Sequence, residues 1–268
     1  MEENDAKYDP RIRRAKLKPH KDSSFQKIIA VVSGKGGVGK SFVTSLLAVS
    51  LMNEGHKVSI MDADITGPSI SKTFGEDNYT CMGDKEGIFP AKTSRGLTLI
   101  SSNNLLDDPT TPIVWRGSLI SSLVAQMFTE VVYGEKEFLL IDMPPGTGDV
   151  PLTVFQQLPI DGIVIVTSPQ DLVSEVVTKS IKMAKMMNVK ILGVVENMAY
   201  VKCPHCGEEI PLFGKDNVQD LLKNMNVSLL DRLGIDPGLT SLIDEGKIEE
   251  YKGNDLKNTV QAVTNLLK

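Results

Sequence analysis

The chain is poor in cysteine, with three in 268 residues. An odd, small number argues against a disulfide framework and predicts a reducing, cytoplasmic setting. No run of about eighteen apolar residues occurs, so no membrane-spanning helix is expected. Residues 1–26 are charged rather than apolar, which excludes a signal peptide. A basic excess is also missing. The net charge is −5, and a nucleic-acid partner has no overall electrostatic support. There is no internal repeat and no long linker. Hydrophobic residues at 41% and charged residues at 24% are ordinary for a globular chain.

What is present begins with Gly34, Lys35, Gly36, Gly37, Val38, Gly39, Lys40 and Ser41. This run fits G-x-x-x-x-G-K-[ST], whose glycines let successive backbone N–H groups face one anion. Lys40 is expected to reach the β- and γ-phosphates, and Ser41 to ligate Mg²⁺. The Phe42 N–H is also available to a phosphate. An apolar stretch at 27–32 predicts a buried strand before the loop, and Val43, Leu46, Leu47 and Leu51 mark a helix face after it. Further strands are expected at 57–61, near 87–90 and 97–101, and at 138–141, 162–166 and 190–195. Helices are expected at 120–132, 172–187, 215–223, 239–245 and 256–267. This alternation predicts an α/β fold, a mostly parallel sheet with helices on both faces. Residues 1–26 read as a charged N-terminal extension. Residues 27–268 read as a single domain carrying an irregular insert near 201–214.

Two acidic turns follow strands. Asp142 opens Asp142-Met143-Pro144-Pro145-Gly146-Thr147-Gly148-Asp149, where a phosphate-loop enzyme places the acid that holds Mg²⁺ through water. Gly146 and Gly148 let the backbone approach the γ-phosphate as a switch. Asp62 and Asp64 sit two apart and would face opposite ways on a continued strand. Asp62 is therefore assigned to the Mg²⁺ shell and Asp64 to the attacking water. Asn197 ends another strand, and its amide suits adenine or simply a turn. An N-K-x-D guanine motif is missing there, which favours ATP. Cys203-Pro204-His205-Cys206 supplies half a tetrahedral thiolate set. A twofold dimer would complete it. The spacing alone leaves an iron–sulfur cluster, zinc and a structural thiol pair open. A thiol oxidoreductase is disfavoured because Gly207-Glu208-Glu209-Ile210-Pro211 is a poor helix start.

With Lys35 directly after the first glycine, the loop resembles the deviant phosphate loop of the MinD/ParA/Mrp ATPases. That resemblance implies that Lys35 acts across a dimer interface on the partner's nucleotide. The order of the phosphate loop, the Asp62–Asp64 turn, Trp115-Arg116-Gly117, the Asp142 switch, Asn197-Met198, Cys203–Cys206 and Phe213-Gly214 resembles the Mrp/ApbC/Nbp-type iron–sulfur cluster carriers. The resemblance spans about residues 27–267. It implies a cytoplasmic homodimeric Mg²⁺-dependent ATPase, slow in turnover, that holds a bridging 4Fe-4S cluster on Cys203 and Cys206. It further implies delivery of the cluster to apo-proteins, with no nucleic-acid or membrane partner expected.

One departure is Phe42, where the family usually has threonine. The lost hydroxyl predicts weaker nucleotide binding or slower turnover. The four-cysteine N-terminal segment of some relatives is not seen, so only the bridging site is expected. The competing expectations are a MinD/ParA-like spatial-organising ATPase and a zinc-stabilised ATPase scaffold without a cluster.

Overall fold

The computed structural model describes residues 15–105, 117–146, 148–169, 175–212 and 218–268. Its strands are β1 Ser23–Ser33, β2 Val58–Asp62, β3 Gly83–Asp84, β4 Gly87–Ile88, β5 Ala91–Lys92, β6 Thr98–Ile100, β7 Gly134–Asp142, β8 Gly162–Thr167, β9 Ile191–Glu196, β10 Val201–Lys202, β11 Glu209–Ile210 and β12 Leu229–Arg232. Its helices are α1 Lys40–Asn53, α2 Ile70–Thr73, α3 Gly117–Thr129, α4 Asp149–Gln157, α5 Glu175–Met186, α6 Val218–Met225, α7 Pro237–Asp244 and α8 Lys257–Thr264.

Eight strands form one sheet in the order β12-β9-β8-β1-β7-β2-β6-β5. All neighbours are parallel except β5, which returns antiparallel on β6. Period-two alternation in β1 sorts its side chains between two cores. Ile28, Ala30 and Val32 join α3, α4 and α5 residues such as Phe128, Phe155 and Ile181 on one face. Ile29 and Val31 join α1 and α8 residues such as Leu47 and Val260 on the other. Both faces are covered, which is why the central strands are continuous apolar runs. Helix α1 is buried along most of its length, from Val43 to Leu51. It lies between the sheet and α8 and therefore carries apolar residues around its circumference.

Several elements differ from expectation. Strand β1 starts at Ser23, within the stretch read as an extension. Ser23 Oγ donates to the Val131 carbonyl, and Lys16 Nζ reaches the Phe155 carbonyl at 2.6 Å. Polar residues paired at the strand's start concealed it. Helix α3 stops at Thr129 because Val131 bridges Ile88. Helix α4 was not anticipated, since Pro151 in its first turn reads as a loop although the first turn tolerates proline. Strand β12 is four residues long at the sheet edge and carries little periodic signal. The expected helix starts at 172 and 215 lie outside the described residues.

Strand β1 is central, with connections leaving to both sides. The carboxyl ends of β1, β7 and β2 consequently open onto one crevice at the switch in strand order.

Candidate nucleotide site and thiolate turn

The phosphate loop joins Ser33 of β1 to Lys40 of α1. Gly37 and Gly39 have φ of 83° and 80°, left-handed values that glycine adopts without strain. No side chain caps α1. Its first-turn N–H groups thus face the crevice, where a phosphate can satisfy them. Asn197 Nδ2 donates to the Val38 carbonyl at 3.0 Å. A Cβ at Gly39 would stand 2.1 Å from that same nitrogen. Loop and asparagine are therefore fitted to each other, a contact that the sequence reading of Asn197 did not anticipate.

Lys40 is buried and points at the acids. Its Nζ lies 2.8 Å from Asp142 Oδ2 and 3.5 Å from Asp64 Oδ2. Ser41 Oγ donates to the same Asp142 oxygen, and Thr44 Oγ1 donates to Asp142 Oδ1 at 2.7 Å. Three donors at the start of α1 thus fix one carboxylate. Thr44 was not singled out from sequence. Its position one turn after Lys40, on the same helix face, was the available signal.

Asp62 is fully buried at the end of β2, where the chain leaves the strand. Its carboxyl accepts from the N–H groups of Asp64, Ser69 and Ile70 and from Ser101 Oγ, all at 3.1 to 3.3 Å. Burial, and then the neighbouring Asp142 charge, push its pKa up to about 7. Asp64 does not continue the strand. It turns instead to the cavity of about 340 Å³ that Gly37, Lys40, Ser41, Phe42 and Pro145 also line. Lys35 is exposed on the loop, and its carbonyl accepts from Ser33 Oγ at 2.9 Å. Gly34 and Gly36 complete the loop backbone. Thr147, Trp115, Arg116, Phe213 and Gly214 lie outside the described residues.

The insert expected near 201–214 contains a small hairpin, β10 against β11, with the two cysteines in its turn. The Cys203 N–H donates to the Glu208 carbonyl, the Gly207 N–H returns to the Cys203 carbonyl, and Gly207 is left-handed at φ 75°. Backbone N–H groups of Cys206 and His205, with the Cys206 thiol, hold the Cys203 pKa below the ordinary thiol value. No helix opens at Cys203, so the helix-dipole activation of a thiol oxidoreductase does not arise here. Such a turn favours thiolate and presents it outward, ready for a soft metal. Cys81 is elsewhere, packed against the α3 face, and burial pushes its thiol up to about 11. Among the described residues no three His, Cys, Asp or Glu side chains gather as a metal site. The turn offers two sulfurs and needs ligands from outside it.

Residues 24–268 match the family described as NUBPL iron-transfer P-loop NTPase. The chain is similar to the iron-sulfur cluster carrier protein of Clostridium perfringens, 43% identical over 235 residues, covering 85% of this chain and 82% of that one. It is also similar to the cytosolic Fe-S cluster assembly factor CFD1 of Kluyveromyces lactis, 38% identical over 251 residues and 89% of each chain. Among solved structures, a nucleotide-binding protein of Archaeoglobus fulgidus in complex with ADP superposes with a TM-score of 0.78. It has 43% identity and covers 87% of this chain and 91% of that one.

Proposed function

This chain belongs to the NUBPL iron-transfer P-loop NTPase family, and we propose that it is a cytoplasmic ATP-hydrolysing carrier of 4Fe-4S clusters. Two copies hold one cluster between them and deliver it to apo-proteins. The observation that carries this reading is the outward thiolate turn with two sulfurs, on a chain whose phosphate loop is complete. A second copy related by a twofold axis brings the other two sulfurs.

The nucleotide is held by the loop N–H groups, with Lys40 on its terminal phosphates. Phosphate oxygens compete with Asp142 and Asp64 for the Lys40 ammonium, so arrival of ATP reorganises the ion pairs around that lysine. Mg²⁺ fits the remaining donors: Ser41 and Asp142 would hold it with Asp62 behind, where it would offset phosphate charge. Asp64, at the rim, orients the attacking water. Lys35, exposed on the loop, reaches the nucleotide of the second copy, so hydrolysis requires the dimer. The cluster is cargo. Because it sits on the axis that the two nucleotides straddle, rearrangement at the loops changes its exposure.

Zinc suits the same sulfur set, and metal analysis of protein prepared without oxygen separates the two occupants. The test of the whole reading is transfer. Protein loaded anaerobically is mixed with an apo-acceptor that requires a 4Fe-4S cluster, and acceptor activity and phosphate release are followed. Activation should need Cys203 and Cys206, and its ATP dependence should vanish in Lys35→Ala and Asp64→Ala. Equal transfer by both variants and the parent, with and without ATP, would overturn the coupling.

A further inference from the structure

A second cavity, of about 510 Å³, opens between α1 and the thiolate hairpin. Phe42 lines both this cavity and the phosphate crevice, so the two adjoin across one side chain. The remaining wall is largely apolar and aromatic, from Leu46, Tyr200, Ile235 and Pro237. Its size and lining suit the flat face of a purine whose phosphates occupy the loop. Pro204, which directly follows Cys203 and with His205 separates the two thiols, also lines this cavity.

We infer that the base of the bound nucleotide packs against Pro204 and thereby controls the order and accessibility of Cys203. The linkage is mechanical and lies within one chain. The hairpin is rooted in the far wall: the Ile235 N–H donates to the Tyr200 carbonyl at 2.8 Å, and Val201 bridges Ile235. With that root pinned, the turn at Pro204 is the part of the hairpin that faces the cavity. Its fixed φ transmits a displacement to the neighbouring peptide rather than absorbing it. Cys203 is the residue directly before Pro204, so a displacement of that peptide moves the thiol itself. A base in the cavity therefore braces the turn, and an empty cavity releases it.

This inference rests on the nucleotide half of the function proposed above and is independent of the cluster. It is tested on metal-free full-length protein by peptide-resolved alkylation with iodoacetamide, using Cys81 as internal reference. Magnesium ADP is compared with magnesium tripolyphosphate, which fills the loop but has no base. ADP should slow alkylation of Cys203 by about fivefold or more, with tripolyphosphate within about twofold of no ligand. In Pro204→Gly, at ADP saturating for that variant, Cys203 should react at one rate with and without ADP. Equal slowing by ADP and tripolyphosphate would overturn the inference, because the signal would then run through the phosphates. Calorimetric binding of ADP without any change at Cys203 would overturn it alone. Failure of ADP to bind would remove the nucleotide reading and this inference together.

Discussion

Asp62 and Asp142 stand directly opposite one another on the paired strands β2 and β7, both fully buried. The two carboxyls are treated differently by their surroundings. Asp142 receives the Lys40 ammonium at 2.8 Å and two hydroxyl donors from α1. Asp62 receives backbone N–H groups and Ser101, and its pKa rises to about 7. One buried cation thus keeps the acid cluster tolerable and is also the group that a phosphate would engage.

Removing that cation exposes the arrangement. Lys40→Ala leaves Asp142 buried without its countercharge and is expected to destabilise the protein by about 3–5 kcal/mol in urea unfolding. Lys40→Ala combined with Asp142→Asn should regain most of that stability and remain without ATPase activity. A single variant as stable as the parent would show that the pair carries no such strain.

Thr44→Val keeps the shape and deletes the donor to Asp142 Oδ1. A hydrogen bond to a charged group lost in this way costs about 1.5–3 kcal/mol. Stability should fall by that amount. Phosphate release should fall more than ADP affinity, since the carboxylate is mispositioned while the loop N–H groups are untouched. Equal losses in both would place Thr44 in the loop's folding rather than in holding Asp142.

The phosphate loop, its flanking strand and helix, and the alternation behind the parallel sheet were legible because each carries its own local chemistry: glycines, a buried apolar run, a helix face. The pairing of Asp62 with Asp142 was not, since it depends on register between strands about eighty residues apart. Asn197 illustrates the same limit. Its strand-end position was readable, but its bond to the Val38 carbonyl exists only once β9 is placed two strands from β1. The cysteine pair was legible as a C-x-x-C spacing, and the structure places it in a hairpin turn. The N–H groups directed at Cys203 required the backbone trace. Polar starts and short edge strands, such as Ser23–Gln26 and β12, left no periodic signal to read.

Gly39 and Asn197 make a coupled pair. Gly39→Ala should abolish nucleotide binding, since the new Cβ meets Asn197 Nδ2 at 2.1 Å and the φ of 80° is strained for alanine. Adding Asn197→Ala removes the clash but not the strain, which costs about 1 kcal/mol. The double variant should therefore bind ADP more tightly than Gly39→Ala and less tightly than the parent. Calorimetry giving the double variant no advantage would deny that the amide is packed against the loop.

Lys136 gives a pH signature remote from the crevice. Burial, then Lys92 and Lys57, lower its pKa from 10.5 to about 8. Between those values the unfolded chain holds a proton that the folded one has released, so stability attributable to this site rises with pH. Below about pH 8 the half-buried ammonium is a cost in the folded state, offset in part by its hydrogen bond to the Gly96 carbonyl at 3.2 Å. Lys136→Met should be more stable than the parent there, and its advantage should shrink as pH approaches 10.5. Urea midpoints at both ends of that window, with ATPase activity unchanged at neutral pH, check it. An advantage independent of pH would mean that the effect is packing alone.

The most direct test of the central claim is composition and mass together. Protein purified and reconstituted without oxygen is assayed for iron, sulfide and zinc and weighed in solution, beside the Cys203→Ser/Cys206→Ser double variant. The account predicts about four irons and four sulfides per dimer, with both metal and dimer lost or weakened in the variant. Zinc alone, or iron bound equally by the variant, would contradict it.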